Sequence, residues 1–141
     1  MPSDYQPDYI PSLAEERISA FNQSEFAQLL GMQITEAYDG FARVVMNSSG
    51  KKNAQGVVHG GAIFALADQA FGIAANSGAV QRVAVSIHIQ YIAPAAGTLV
   101  AFAHRVADNG RYSVFRVMVY EDERIIAEFD GVAIQVTPSA L

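Results

Sequence analysis

Five residues within sixteen positions could act together chemically: Asn53, His59, Gly60, Gly61 and Asp68. Asp68 lies in a run from Gly61 to Ala75 that is apolar except for itself and Gln69. A helix that is hydrophobic all round is normally buried, and this run falls short of the ~20 apolar residues that span a bilayer. On its own helical face Asp68 meets Phe64, Ala65, Phe71 and Gly72, none of which offers a side-chain hydrogen bond. A carboxylate there is costly unless something pairs with it, and burial raises its pKa, which makes it a better base near neutral pH. Gly60 and Gly61 stand at the start of the same helix. The first amides of a helix have no intrahelical partner and sit at the positive end of its dipole. Without Cβ atoms there, a ligand can approach the backbone closely, and a developing oxyanion suits such a place. The residues alone also allow blander roles. The two glycines could serve tight helix–sheet packing, Asp68 could pair with an arginine such as Arg82, His59 could be a structural hydrogen bonder, and Asn53 could form a turn.

The elements that must position these groups follow from local signals. Residues 1–11 hold three prolines and two aspartates and read as an irregular arm. Ser12-Leu-Ala-Glu15 has the capping-box pattern. Apolar positions from Leu13 to Leu30 predict one broken helix or two short ones, with Ser24 as a second N-cap and Gly31 as a stop. Met32–Tyr38 and Phe41–Met46 flank Asp39-Gly40, a hairpin signal. Asn47–Val58 reads as a loop into the central helix, which frays around Asn76. From Val83 to Tyr91 the odd positions carry large apolar side chains and the even ones are Ala84, Ser86, His88 and Gln90, which predicts a half-buried strand with Val83, Val85, Ile87, Ile89 and Tyr91 inside. Thr98–Val106, Tyr112–Tyr120 and Arg124–Val136 are three more strands joined by turn-forming residues. The expected fold class is α+β, with a long curved antiparallel sheet around one central helix. Residues 1–23 form an N-terminal arm and helix, and 24–141 the main domain, within a single domain overall.

Composition narrows the function. A chain of 141 residues, 51% hydrophobic and 16% charged, is globular and able to bury a core. The net charge of -5 and the lack of a basic patch argue against nucleic acid as a partner. Only two lysines occur, Lys51 and Lys52, too few for a polybasic membrane anchor. The absence of cysteine excludes thiolate metal sites and cysteine nucleophiles. The histidines show no metal-ligand spacing, His88 and His104 read as packing or surface residues, and no phosphate-binding glycine loop is present. The first residues are acidic and lack the pattern of a secretion signal, so the expected location is cytoplasmic.

Asn53, Gly56, His59-Gly60-Gly61, Phe64-Ala-Leu-Ala-Asp68 and Asn76 together resemble the signature of the hotdog-fold acyl-CoA thioesterases, in the phenylacetate-degradation (PaaI-like) branch. Phe26-Ala-Gln-Leu-Leu-Gly-Met32, Asp39-Gly40 and Tyr91-Ile-Ala-Pro94 extend the likeness over about residues 24–136. The resemblance implies dimers that join two sheets edge to edge and often pair into homotetramers. It implies hydrolysis of a small acyl- or aryl-acyl-CoA, with coenzyme A entering only as part of the substrate and no metal or other cofactor. It also implies Asp68 as base or nucleophile, the Gly60 amide as the carbonyl-polarising donor, and Asn53 and His59 as arranging residues. Gly61, Phe64, Phe71 and Ser86 are the expected substrate contacts.

Gly60 and Asp68 are eight residues apart on one helix, hence ~12 Å apart at 1.5 Å rise per residue. Attack needs reacting atoms about 3–3.5 Å apart, so if both act on one thioester they come from two chains. One departure from the branch stands out. Where relatives carry a hydroxyl to hold the attacking water, this chain has Gly72 and Ala84, with Ser86 or Ser77 as possible substitutes. The phosphates of coenzyme A could meet Lys51, Lys52, Arg82 or Arg111, each of which reads equally as simple solvated charge. The alternatives are a non-catalytic acyl-CoA or aromatic-ligand binding module and a hotdog hydratase or dehydratase. The latter usually pairs its Asp with a nearby His, and no His follows Asp68 within the helix.

Overall fold

A computed structural model describes residues 13–136, so the arm at 1–11 and the Ser12 end of the capping pattern lie outside the described residues. The elements run α1 (Leu13–Asn22), α2 (Glu25–Leu30), β1 (Met32–Tyr38), β2 (Phe41–Met46), α3 (Gly60–Asn76), β3 (Arg82–Tyr91), β4 (Leu99–Asp108), β5 (Tyr112–Glu121) and β6 (Arg124–Gln135). Ser24 caps α2, its side chain accepting from the Ala27 amide, and Gly31 ends the helix at φ +64°. Gly40 turns the β1–β2 hairpin at φ +78°. Among the described residues no helix is long and apolar enough to cross a membrane.

The six strands form one antiparallel sheet in the order β1-β2-β4-β5-β6-β3. The central helix α3 lies on its concave side, as the hotdog resemblance predicts. Small residues on the inner face, Ala42, Ala101, Ala103, Ala127 and Ala133, let the helix approach closely, while Val44, Phe115, Val117 and Phe129 fill the gaps around Leu66, Phe71 and Ile73. The Phe71 ring meets Phe115 at 5.7 Å and Phe129 at 5.6 Å between centroids. It rests directly on Gly131 of β6, where a Cβ would lie 2.7 Å from Phe71 Cζ.

Two expectations need correction. The strand β3 does not keep one inward face. It is an edge strand paired only with β6, and the register skips Val85 between Ala84↔Ala133 and Ser86↔Val132. This bulge exchanges the faces: Arg82 and Ala84 share the side of Ala133, whereas Ile87, Ile89 and Tyr91 share the side of Phe129. Val85 is left 51% exposed and Ser86 pairs on the outer side. Nor is α3 sealed all round. Gly61 is exposed and Phe64, Asp68, Gln69 and Gly72 are only half-buried, a stripe at helical spacing along one side. The helix α1 partly covers its far end. Phe21 sits over Gly72, its carbonyl accepts from Gln69 Nε2 at 2.9 Å, and Arg17 Nε donates to the Asn76 carbonyl at 2.9 Å.

The contact between Phe71 and Gly131 yields a stability prediction. Gly131→Ala forces the buried ring to move and lowers stability by about 1–3 kcal/mol, the usual cost of overpacking. Chemical denaturation measures this, and an unchanged midpoint would show that the ring has room to give.

Candidate active site

The loop before α3 is built by its own polar side chains. Asn53 Oδ1 accepts from the amides of Gln55 (2.9 Å) and Val57 (3.3 Å), so Asn53 shapes the turn that returns the chain to the helix start. The His59 amide donates to the Lys51 carbonyl at 2.8 Å, and the Val58 amide to that of Ala95 at 2.8 Å. His59 is the N-cap of α3, with Nδ1 accepting from the Gly61 amide at 2.8 Å. This bond places the imidazole proton on Nε2 in the neutral ring. The His59 carbonyl takes the amides of Ala62 (2.9 Å) and Ile63 (3.2 Å). Of the first-turn donors, the Gly60 amide is the one left without an acceptor among the described residues. The Gly61 amide is not available in the same way, because His59 Nδ1 occupies it.

Two cavities of about 300 Å³ each flank this helix start. One is apolar and bounded by Val58, Gly60, Ile63, Tyr91 and Pro94. The other brings His59 and Gly61 together with Phe26, Leu30, Lys51 and Lys52. Both lysines thus stand beside the helix start, with Lys51 Nζ donating to Ser49 O (3.2 Å) within its own loop. The two arginines do not join them. Arg82 is buried and bound to Asp108, and Arg111 lies over the Tyr112 ring at 5.7 Å.

Asp68 lies elsewhere, in a third cavity of about 240 Å³ walled by Phe21, Phe71, Gly72, Ala75 and Ala84. It makes no hydrogen bond or ion pair with the other described residues, and burial alone pushes its carboxyl above the ordinary value of 3.8. Pairing with Arg82, the structural alternative, does not occur: Arg82 Nη2 reaches Asp108 Oδ2 at 3.2 Å. Asn76 holds Arg82 by the backbone instead, accepting from its amide at 2.9 Å and donating to its carbonyl at 3.1 Å, which ties the end of α3 to the start of β3. The two positions without a hydroxyl, Gly72 and Ala84, both line this cavity. Ser77 cannot replace them, since its one hydroxyl proton is taken up between the carbonyls of Tyr38 (2.6 Å) and Ala74 (3.0 Å) and its oxygen accepts from the Gly40 amide (3.2 Å). Ser86 lies past the bulge, outside the cavity lining. Phe71 gives one edge to the wall while its ring belongs to the core, and Phe64 packs on Phe129 at 5.6 Å between centroids.

Sequence reasoning missed Phe21 and Gln69 as cavity residues. Gln69 was visible as the other polar position in the apolar run, but nothing local links it to α1. Among the described residues no three His, Asp or Glu side chains are grouped so as to hold a metal ion.

The family model described as the thioesterase superfamily matches residues 55–127. The acyl-coenzyme A thioesterase PaaI of Escherichia coli is 34% identical over 111 residues, which is 74% of this chain and 78% of that protein. Among solved structures, the PaaI protein from the phenylacetic acid degradation operon of E. coli superposes with a TM-score of 0.81 at 27% identity, covering 89% of this chain and 97% of that one. A mutant of the phenylacetic acid degradation protein PaaI from Thermus thermophilus gives 0.76 at 29% identity, over 80% of this chain and all (100%) of the other.

The unpaired carboxyl makes stability depend on pH. A folded-state pKa above the unfolded value means that protonation favours the native state, so this group's contribution is full below 3.8 and is lost as pH rises through the folded value. Asp68→Asn should therefore unfold at a higher temperature than the wild type at pH 7, with no advantage below pH 3.8. An equal difference at both pH values would contradict the assignment.

Proposed function

The chain belongs to the thioesterase superfamily, and from that premise we propose that it hydrolyses acyl-CoA thioesters to free acid and coenzyme A at sites shared between two protomers. One protomer supplies Asp68, and the other supplies the Gly60 amide. The observation that carries this reading is the half-buried Asp68, raised in pKa and left without a partner on the one open stripe of an otherwise buried helix. A carboxyl raised in pKa by burial and left unpaired in a cavity is a candidate acid or base.

The division of the site between chains is supported by spacing and by the sheet edge. Asp68 and Gly60 line separate cavities within one protomer, as their ~12 Å helical separation requires. Strand β3 is ten residues long, hydrogen-bonded on one side only, and has no lysine or proline to discourage pairing. An edge of that kind is a template for a second copy. Pairing β3 with its equivalent gives a homodimer, and two such dimers give the proposed homotetramer. Ser86, exposed on that edge, is then presented to the partner's side of the interface rather than to its own Asp68. No metal or redox cofactor enters the proposal.

In this reading the thioester carbonyl accepts from Gly60 N–H, whose dipole-backed donation stabilises the oxyanion. Asp68 drives the attack, as base to a water or with its own oxygen. The absence of a hydroxyl at Gly72 and Ala84 favours the second route, in which the Asp68 oxygen bonds to the acyl carbon as the C–S bond breaks, coenzyme A leaves as the thiolate and takes a proton from solvent, and water then cleaves the mixed anhydride to free acid and Asp68. Asn53 and His59 keep the loop and helix start in shape, Gly61 and Phe64 border the acyl path, and Phe71 backs it.

Thiol release from acetyl-, phenylacetyl-, hydroxybenzoyl- and medium-chain CoA esters tests the proposal. Asp68→Asn should lower turnover by about 10²–10⁴-fold with the oligomer intact. Gly60→Pro removes the donor with little damage to the helix, since proline suits the first helical position and His59 is already extended at ψ 136°. It should lower kcat by about 10²–10³-fold. Wild-type binding without thiol release, unaltered by Asp68→Asn, would identify a binding module instead.

A further inference from the structure

The Gly60 amide can act as a fixed donor only if two consecutive glycines, the residues with most backbone freedom, are held still. The peptide unit after Gly60 is pinned at both ends. Its N–H, that of Gly61, is held by His59 Nδ1 at 2.8 Å, and its carbonyl, that of Gly60, accepts from the Tyr91 hydroxyl at 2.9 Å. The preceding unit is anchored through the His59 carbonyl, leaving the Gly60 N–H as its one free group. Tyr91 arrives from the end of β3, thirty-one residues away in sequence. Its ring lies where a Gly60 Cβ would touch it at 3.4–3.5 Å, yet the residue remains 52% exposed.

We propose that Tyr91 is a positioning residue for the oxyanion donor: its phenol, opposite His59, locks the Gly60–Gly61 peptide next to the donor's own unit, and with the amides on the His59 carbonyl it limits rotation about the Gly60 φ between them. The inference rests on the thioesterase reading above. Burying a half-exposed tyrosine adds little to stability, so a hydroxyl that serves only packing would be replaceable by phenylalanine at no catalytic cost. A hydroxyl that steadies the glycine next to the donor is not replaceable, because a Gly60 free to turn lets its N–H swing, and a swing of even 20° loses part of its advantage over water. The same contact links the outer edge strand to the helix start, so pairing of β3 with a second copy and organisation of the donor bear on one residue.

The experiment is Tyr91→Phe, which keeps the ring and removes the hydroxyl. The expected result is a fall in kcat of about tenfold with KM changed less than about twofold, and an unchanged thermal midpoint. A second measurement uses the slow Asp68→Asn background. The stretching frequency of a ¹³C-labelled thioester carbonyl, read by difference infrared spectroscopy, should be lowered on binding to Asp68→Asn and lowered less on binding to Asp68→Asn/Tyr91→Phe. Wild-type kcat and an unaltered carbonyl frequency in the Phe variants would overturn the role of Tyr91 while leaving Asp68-dependent hydrolysis standing. Absence of Asp68-dependent thiol release from the wild type would remove the underlying reading and this one with it.

Discussion

One rigid distance governs this molecule. Eight residues of helix separate the Gly60 amide from the Asp68 carboxylate by ~12 Å, and no side-chain rotation can bring an aspartate that far back along its own helix. The donor end and the acid are therefore held in place by the same element while being kept from acting on the same bond within one chain. The sheet is what makes the helix so dependable a spacer. Alanines on the inner strands and Gly131 under Phe71 let α3 settle close to the sheet along most of its length, and only one stripe is left uncovered.

That stripe is where stability is given up. Placing Asp68 between aromatic and small apolar groups without an ion pair destabilises the folded state whenever the carboxyl is ionised. The chain contains a suitable arginine, yet Arg82 is turned to Asp108 and fastened through its backbone by Asn76. A sequence under selection for stability alone would have closed such a gap. Local conflict of this kind is expected where function is located.

Much of the fold was readable because its signals are local. Ser24 and Gly31 bound α2, Gly40 turns the first hairpin, and the strand limits fall within two residues of the periodicity. What could not be read depends on partners distant in sequence. Val85 looks inward by alternation, but pairing with β6 makes it the extra residue of a bulge and exchanges the faces of β3. Phe21 carries no sign that it will cover Gly72. At the helix start the resemblance points to the Gly60 amide, but nothing local in the sequence shows that the His59 ring will occupy that of Gly61. The motif is local and legible, whereas the hydrogen bonds that leave the Gly60 amide free and occupy that of Gly61 arise only in the fold.

The central claim, that each site draws its acid and its donor from different chains, is tested most directly by mixing. Asp68→Asn and Gly60→Pro proteins, each nearly inactive, are unfolded together, refolded at equal concentration and assayed for thiol release. If sites are shared across a dimer, random reassortment makes half the dimers mixed, and each mixed dimer holds one site with Asp68 and the Gly60 amide both intact. The account predicts recovery of about one quarter of wild-type activity by this binomial count, with each site acting independently. No recovery above the sum of the two parents, in a mixture shown to contain hybrid dimers, would contradict it.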